Sequence, residues 1–155
     1  MKIAFIGFGS IGKRHFEIIS KKFPSIKKIL ILNKRNISKE NQSKFHYVVN
    51  KLEDVLKLNP TAVLICSPSY THLEYLDFFL RNNINIFLEK PIYSRYEKNK
   101  FDNILTKIKK KRNITTLVGY VLNYNSCLIK FFYKIKNNNL GKILRVQADC
   151  NSYLP

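Results

Sequence analysis

The chain has 155 residues, 45% hydrophobic and 13% aromatic, enough to bury a core of about one domain and too apolar for a disordered segment. Its 28 Lys and Arg against 10 Asp and Glu give a formal net charge of +18. Those cations are scattered over every segment, so no specific nucleic-acid surface is expected; no apolar run approaches the roughly 20 residues of a membrane span.

The first residues also lack a basic stretch followed by a long apolar one, so a cytoplasmic location is the expectation. Cys66, Cys127 and Cys150 are odd in number and have no C-x-x-C spacing, which predicts reduced thiols and no metal site.

Ile3-Ala4-Phe5-Ile6 reads as a buried strand that runs into Gly7-Phe8-Gly9-Ser10-Ile11-Gly12 and then into a helix through Lys13 to Ile19. Strand, glycine turn and helix in that order predict a dinucleotide site. Gly7 would allow the sharp turn, Gly9 would leave bare backbone for a pyrophosphate, and Gly12 would let the helix pack close to the strand. The helix N-terminus, Ser10 to Gly12, would hold the anion by free N–H groups.

Pro24 stops that helix, and Lys28 to Leu32 is a second strand. Its tip is Asn33-Lys34-Arg35, where an NAD site commonly carries a carboxylate for the ribose 2′-hydroxyl. With no carboxylate and two cations there, NADP is favoured over NAD, with the adenosine ribose near Asn33 and Arg35. Residues 36–44 read as a polar loop and Phe45 to Val49 as a short strand. Asn50 with Glu53 reads as a capping box opening a helix through Leu52, Val55, Leu56 and Leu58, closed by Pro60.

Thr61 to Cys66 is a continuous apolar run of the kind found in parallel strands covered on both faces. Its exit, Ser67-Pro68-Ser69-Tyr70-Thr71-His72, falls at a strand's carboxyl end, where ligands bind in open α/β sheets. Thr71 and Glu74 read as a second capping box for a helix through Leu73, Leu76 and Leu80. Ile84 to Leu88 is a fifth strand ending in Glu89-Lys90-Pro91, which sets a carboxylate, an amine and a rigid turn at the same crevice. A lysine in such a place can move a proton or polarise an oxygen. Ser94 and Glu97 cap the next helix, which buries Phe101, Ile104, Leu105 and Ile108. A sixth strand follows at Thr115 to Tyr120.

Leu128, Phe131, Phe132 and Ile135 then mark a further helix, and Leu144, Val146, Ala148 and Cys150 alternate with polar residues as in an antiparallel strand. The fold expected is α/β, a doubly wound parallel sheet over residues 1–122. Residues 123–155 would supply a connecting helix and the first strand of a substrate domain that the chain does not contain.

Gly7 to Gly12, Cys66-Ser67-Pro68 through His72, Glu89-Lys90-Pro91 and Gly119-Tyr120 occur in the order found in the glucose-fructose oxidoreductase / inositol dehydrogenase (Gfo/Idh/MocA) family, and the chain resembles that family's N-terminal Rossmann domain. The resemblance implies an NAD(P)-dependent oxidoreductase acting on a sugar, sugar derivative or nucleotide sugar. Lys90 would be the catalytic lysine beside the nicotinamide, Glu89 and Pro91 would set its position, and Ser67, Pro68 and His72 would line the nicotinamide side.

Ser69 stands where the family has Asn, and Asn123 and Ser126 stand where it has Arg and Pro. The family's second catalytic residue, a His of the substrate domain, has no counterpart. Asn151 to Pro155 is similar to a segment of relatives encoded among surface-sugar biosynthesis genes. The partners expected are a small sugar-type substrate and either further copies of this chain or a separately encoded C-terminal half. The competing reading is a nucleotide-binding or partner-binding domain without turnover.

Overall fold

The computed structural model describes residues 1–33, 36–94, 96–111, 113–137, 141–147 and 149. Lys34, Arg35, Arg112, Ala148, Cys150 and the segment 151–155 therefore lie outside the described residues. The chain forms two compact units, Met1–Gly119 and Tyr120–Pro155.

The first unit is built on six parallel strands: β1 (Lys2–Ile6), β2 (Lys27–Ile31), β3 (Tyr47–Val49), β4 (Ala62–Ile65), β5 (Asn85–Leu88) and β6 (Thr116–Val118). Their order across the sheet is β3-β2-β1-β4-β5-β6. β1 is central because it is apolar on both faces. Ala4 and Ile6 join Ile29, Ile31, Val63 and Ile65 in one core layer, while Ile3 and Phe5 join Leu30 and Leu64 in the other. Successive side chains of a strand point to opposite faces, so such runs require a cover on each side.

Helix α1 (Ser10–Lys22) sends Ile11, Phe16 and Ile19 onto the Phe5 face. Helix α3 (His72–Arg81) buries Leu73, Leu76 and Leu80 on the Ala4 face, where Ile104 of α4 (Lys98–Lys110) joins them. The register pairs Ile6 with both Ile31 and Ile65, and Ile65 with Leu88, so the carboxyl ends of these strands lie side by side. The chain leaves β1 toward β2 on one side and returns as β4 on the other, and this reversal of direction is where a doubly wound sheet opens a crevice.

Several local expectations are corrected. Residues Glu53–Leu58 form a 3₁₀ helix with Asn59 left-handed at its end, and no side chain caps its start. The Thr71–Glu74 capping box does not form, because the Thr71 hydroxyl donates to the Pro68 carbonyl at 2.7 Å instead. Only half of the Ser94–Glu97 box is made: the Glu97 carboxylate accepts from the Ser94 backbone N–H at 3.1 Å and from its hydroxyl at 2.6 Å, and the helix begins after Glu97. The polar loop contains one helical turn, α2 (Lys39–Gln42), capped by Ser38.

In the second unit, α5 (Ser126–Lys136) starts at Asn125, whose side chain accepts from the N–H groups of Cys127 and Leu128. Phe131 and Phe132 are exposed there. Residues 141–147 form no strand, although Leu144 and Val146 alternate as one would. A strand is held by ladder bonds to a neighbour, and among the described residues none lies alongside. Among the described residues no helix is long and apolar enough to cross a membrane.

Candidate functional site: a dinucleotide cleft and a lysine at the strand ends

A cleft of about 440 Å³ opens at the carboxyl end of β1, lined by Gly7, Phe8, Gly9, Ser10 and Ile11 on one side and by Cys66, Ser67 and Pro68 on the other. The three glycines of the turn serve three purposes. Gly7 has φ +90°, and a Cβ on it would sit 2.5 Å from the backbone of Cys66 and Ser67. Gly12 lets α1 approach the turn, since a Cβ there would lie 2.4 Å from the Gly7 carbonyl oxygen. A Cβ on Gly9, by contrast, would meet nothing within 4 Å. Neither turn geometry nor packing among the described residues therefore demands a glycine at position 9.

Gly9 is also the N-cap of α1, with no side chain capping the helix and no acidic residue in the first turn. The N–H groups of Ser10, Ile11 and Gly12 precede the first intrahelical donor, Lys13, whose N–H reaches the Gly9 carbonyl at 2.9 Å. Free donors, the positive end of the helix dipole and an open face on Gly9 fit a pyrophosphate.

Farther along the cleft, Ile31, Leu32 and Ile37 form an apolar wall. Asn33 is left-handed at φ +42°, and its side-chain amide donates to the Tyr75 hydroxyl at 2.8 Å. Tyr75 lines the cleft from α3, and it is not among the positions that the sequence pattern of that helix, Leu73, Leu76 and Leu80, picks out. Among the described residues lining the cleft none is a carboxylate. Lys34 and Arg35 lie outside the described residues.

The Ser67 hydroxyl lies 2.7 Å from the Thr71 hydroxyl; with the Thr71 proton committed to Pro68, Ser67 is the donor. This network closes the turn between β4 and α3. Cys66 beneath it is buried, and burial, with the Glu89 carboxylate nearby, pushes its thiol up to about 12. It stays a protonated, inert thiol at neutral pH.

The resemblance places His72 along the cofactor, whereas the structure puts it inside. It is 1% exposed; Nδ1 is 2.8 Å from the Pro91 carbonyl oxygen and Nε2 is 2.7 Å from that of Ser67. A carbonyl only accepts, so a ring bearing both protons satisfies both contacts and a ring bearing one satisfies one. No face of the ring is left for a ligand. His72 instead ties the Ser67 turn to the Lys90–Pro91 segment.

Glu89 is likewise buried. Its Oε1 accepts from His15 Nε2 at 2.7 Å and its Oε2 from the Lys90 backbone N–H at 3.2 Å. Gly119 makes room for it, since a Cβ there would approach Oε1 to 3.1 Å. Lys90 itself is exposed beyond the end of β5. The exits of β1, β4 and β5 are thus brought together, with the glycine turn and the Ser67 turn on one cleft. Nothing in the sequence marks His15 as part of this site, though its spacing of three from Gly12 places it on the same side of α1.

A family model described as an oxidoreductase family with an NAD-binding Rossmann fold, Gfo/Idh/MocA, matches residues 1–120. Comparison with curated proteins gives no match. Among solved structures, scyllo-inositol dehydrogenase from Lactobacillus casei with bound NAD(H) and scyllo-inositol is 20% identical with a TM-score of 0.78, over 91% of this chain and 42% of that one. Myo-inositol 2-dehydrogenase from Lactobacillus plantarum is 23% identical with a TM-score of 0.76, over 92% and 43%. The WlbA dehydrogenase from Bordetella pertussis in complex with NADH and UDP-GlcNAcA is 16% identical with a TM-score of 0.78, over 92% and 41%. The chain spans about two fifths of the length of these structures. With the glycine turn, the strand order and the family match in agreement, the chain belongs to the Gfo/Idh/MocA oxidoreductase family, whose NAD-binding Rossmann fold it carries over residues 1–120.

Proposed function

We propose that residues 1–119 hold NADP or NAD for an oxidoreductase acting on a sugar, a sugar derivative or a nucleotide sugar, in the making of surface polysaccharide. The observation that carries this reading is Gly9, whose bare face opens into the cleft at the N-terminus of α1 while no packing among the described residues requires it to be bare. The inositol and UDP-GlcNAcA bound by structurally similar dehydrogenases support a polyhydroxylated substrate.

When bound, the nicotinamide supplies a hydride acceptor or donor. The N–H groups of Ser10, Ile11 and Gly12 would hold the pyrophosphate, and Asn33, supported by Tyr75, would face the adenosine ribose. Ser67 and Pro68 would flank the nicotinamide end. Lys90 would hold, at Nζ, the proton that leaves or joins the substrate hydroxyl, a role that suits an exposed amine on a fixed strand end. Glu89 is left out of that transfer, because it is buried with its oxygens turned to His15 and to the Lys90 backbone N–H.

Fluorescence titration of the chain with NADH and NADPH tests the proposal. Saturable binding is expected, tighter for NADPH, since no described lining residue is a carboxylate and Lys34 and Arg35 follow Asn33 in the sequence. Binding of neither would refute the dinucleotide site, and NADH binding at least as tightly would refute the preference.

A further inference from the structure

Lys90 lies just past the last ladder bond of its strand, the Glu89 N–H to the Ile65 carbonyl at 2.9 Å. The next residue, Pro91, has no N–H to offer, so the segment gives the ladder no further donor after Glu89. Two side chains hold it instead. On the far flank His72 reaches the Pro91 carbonyl; on the near flank the Glu89 carboxylate binds the Lys90 backbone N–H and is itself gripped by His15. His15 projects from α1, about one turn beyond the free N–H groups of the glycine turn, and its ring is set by an edge-on contact with Phe87 at 5.0 Å.

We propose that His15 is a positioning residue for Lys90: by donating to Glu89 it fixes the carboxylate that holds the Lys90 backbone, and so joins the position of the lysine to the helix that holds the pyrophosphate. The inference rests on the dinucleotide reading above. A carboxylate only accepts, so the His15 Nε2–H must donate, and any side chain that donates from the same place should serve. Without that donor, Oε1 would lie buried against Gly119 and Phe87 with no partner from α1, and the carboxylate would turn away from Lys90 in search of one.

The test is amide hydrogen exchange followed by NMR on this chain. His15→Ala is expected to speed exchange of the Lys90 amide at least tenfold while the Val63 and Leu64 amides of β4 stay within twofold. His15→Gln, which retains a donor, should recover most of the protection. In the natural protein His15→Ala should lower kcat at least tenfold with the cofactor KM nearly unchanged.

An unchanged Lys90 amide in His15→Ala would overturn the inference. So would equal acceleration in β4, which would make His15 a mere packing residue of α1, or a His15→Gln protein that behaves like the alanine variant. Addition of NADH to the unmutated chain separates the two readings: if the amides of Gly9 to Gly12 do not shift, the cofactor site fails, whereas the exchange results judge His15 alone.

Discussion

Substituting Gly9 and Gly12 separately should divide binding from folding within a single turn of chain. At Gly12 a Cβ would stand 2.4 Å from the Gly7 carbonyl oxygen, roughly an ångström inside ordinary contact, and the obstacle is backbone. Either α1 lifts away from the turn, loosening Ile11 and Phe16 against the Phe5 layer, or the turn distorts. Overpacking of this kind costs about 1–3 kcal/mol, and at this chain length each kcal/mol lowers Tm by about 3–4 °C. Gly12→Ala is therefore expected to melt about 3–12 °C lower.

At Gly9 the backbone is extended, φ −76° and ψ −165°, a conformation open to any residue, and a Cβ has free space around it. Replacing glycine at an N-cap by an apolar residue costs about 0.5–1 kcal/mol, and the reduced freedom of the unfolded chain offsets part of that. Gly9→Val should keep Tm within about 3 °C. Its side chain nevertheless fills the space assigned to the pyrophosphate, so dinucleotide affinity should fall by at least about 100-fold, equivalent to about 2.7 kcal/mol. Differential scanning fluorimetry and NADPH titration on the same preparations measure both effects. A Gly9→Val chain that binds as before would refute the pyrophosphate assignment. One that melts as early as Gly12→Ala would show that Gly9 has a packing role which the geometry denies.

In a complete enzyme Lys90→Ala should lower turnover by about 10²- to 10⁴-fold with cofactor affinity nearly intact, since binding rests on backbone N–H groups elsewhere; near-normal turnover would remove Lys90 from the chemistry. The buried Cys66 thiol, raised from 9.0 to about 12, keeps its proton in the folded chain after the unfolded chain has lost it. Stability should therefore fall by about 1.4 kcal/mol per pH unit between those values, and urea titrations at pH 8.5 and 10.5 should show a steeper loss than in Cys66→Ala. In native protein a thiol reagent should label the exposed Cys127 and spare Cys66, as mass spectrometry of peptides would reveal.

Asp77 accepts from Lys107 at 2.8 Å and also from Arg81, joining α3 to α4. Burial raises its carboxyl, but those two cations outweigh it and hold the group below 3.8. Its contribution is thus present above pH 3.8 and lost as pH falls through the lower folded value. Asp77→Asn should cost about 0.5–1 kcal/mol at neutral pH, read from urea midpoints, and little once the pH lies below the folded value.

Much of this architecture is legible in the chain because its signals are local or repetitive. Each of the six strands coincides with an apolar run, and the glycine turn shows where strand gives way to helix. The Glu89-Lys90-Pro91 segment falls at a strand end, as read. What is not legible depends on partners distant in sequence. Thr71 has the spacing of a cap, yet its hydroxyl finds the Pro68 carbonyl, a choice made by the turn's path and not by composition. His72 resembles a residue facing the cleft, but two backbone carbonyls, one of them 19 residues away, draw it inward. His15 meets Glu89 across 74 residues, and nothing near either one announces the other. Alternation at Leu144 and Val146 states a preference for a strand, but only a neighbouring ladder could realise it.

The sheet's two margins bear on how this molecule meets its neighbours. β1 and β2, in the interior, have five residues each, whereas the outermost strands, β3 and β6, have three. A foreign strand laid along either margin would gain about two or three ladder hydrogen bonds, too few to hold a growing stack of sheets together. Val48 and Leu117, half-exposed at the middle of those margins, offer one apolar contact apiece. The short margins therefore favour assembly of the first unit through side chains, where shape and charge can choose the partner, over main-chain pairing, which accepts almost any extended segment.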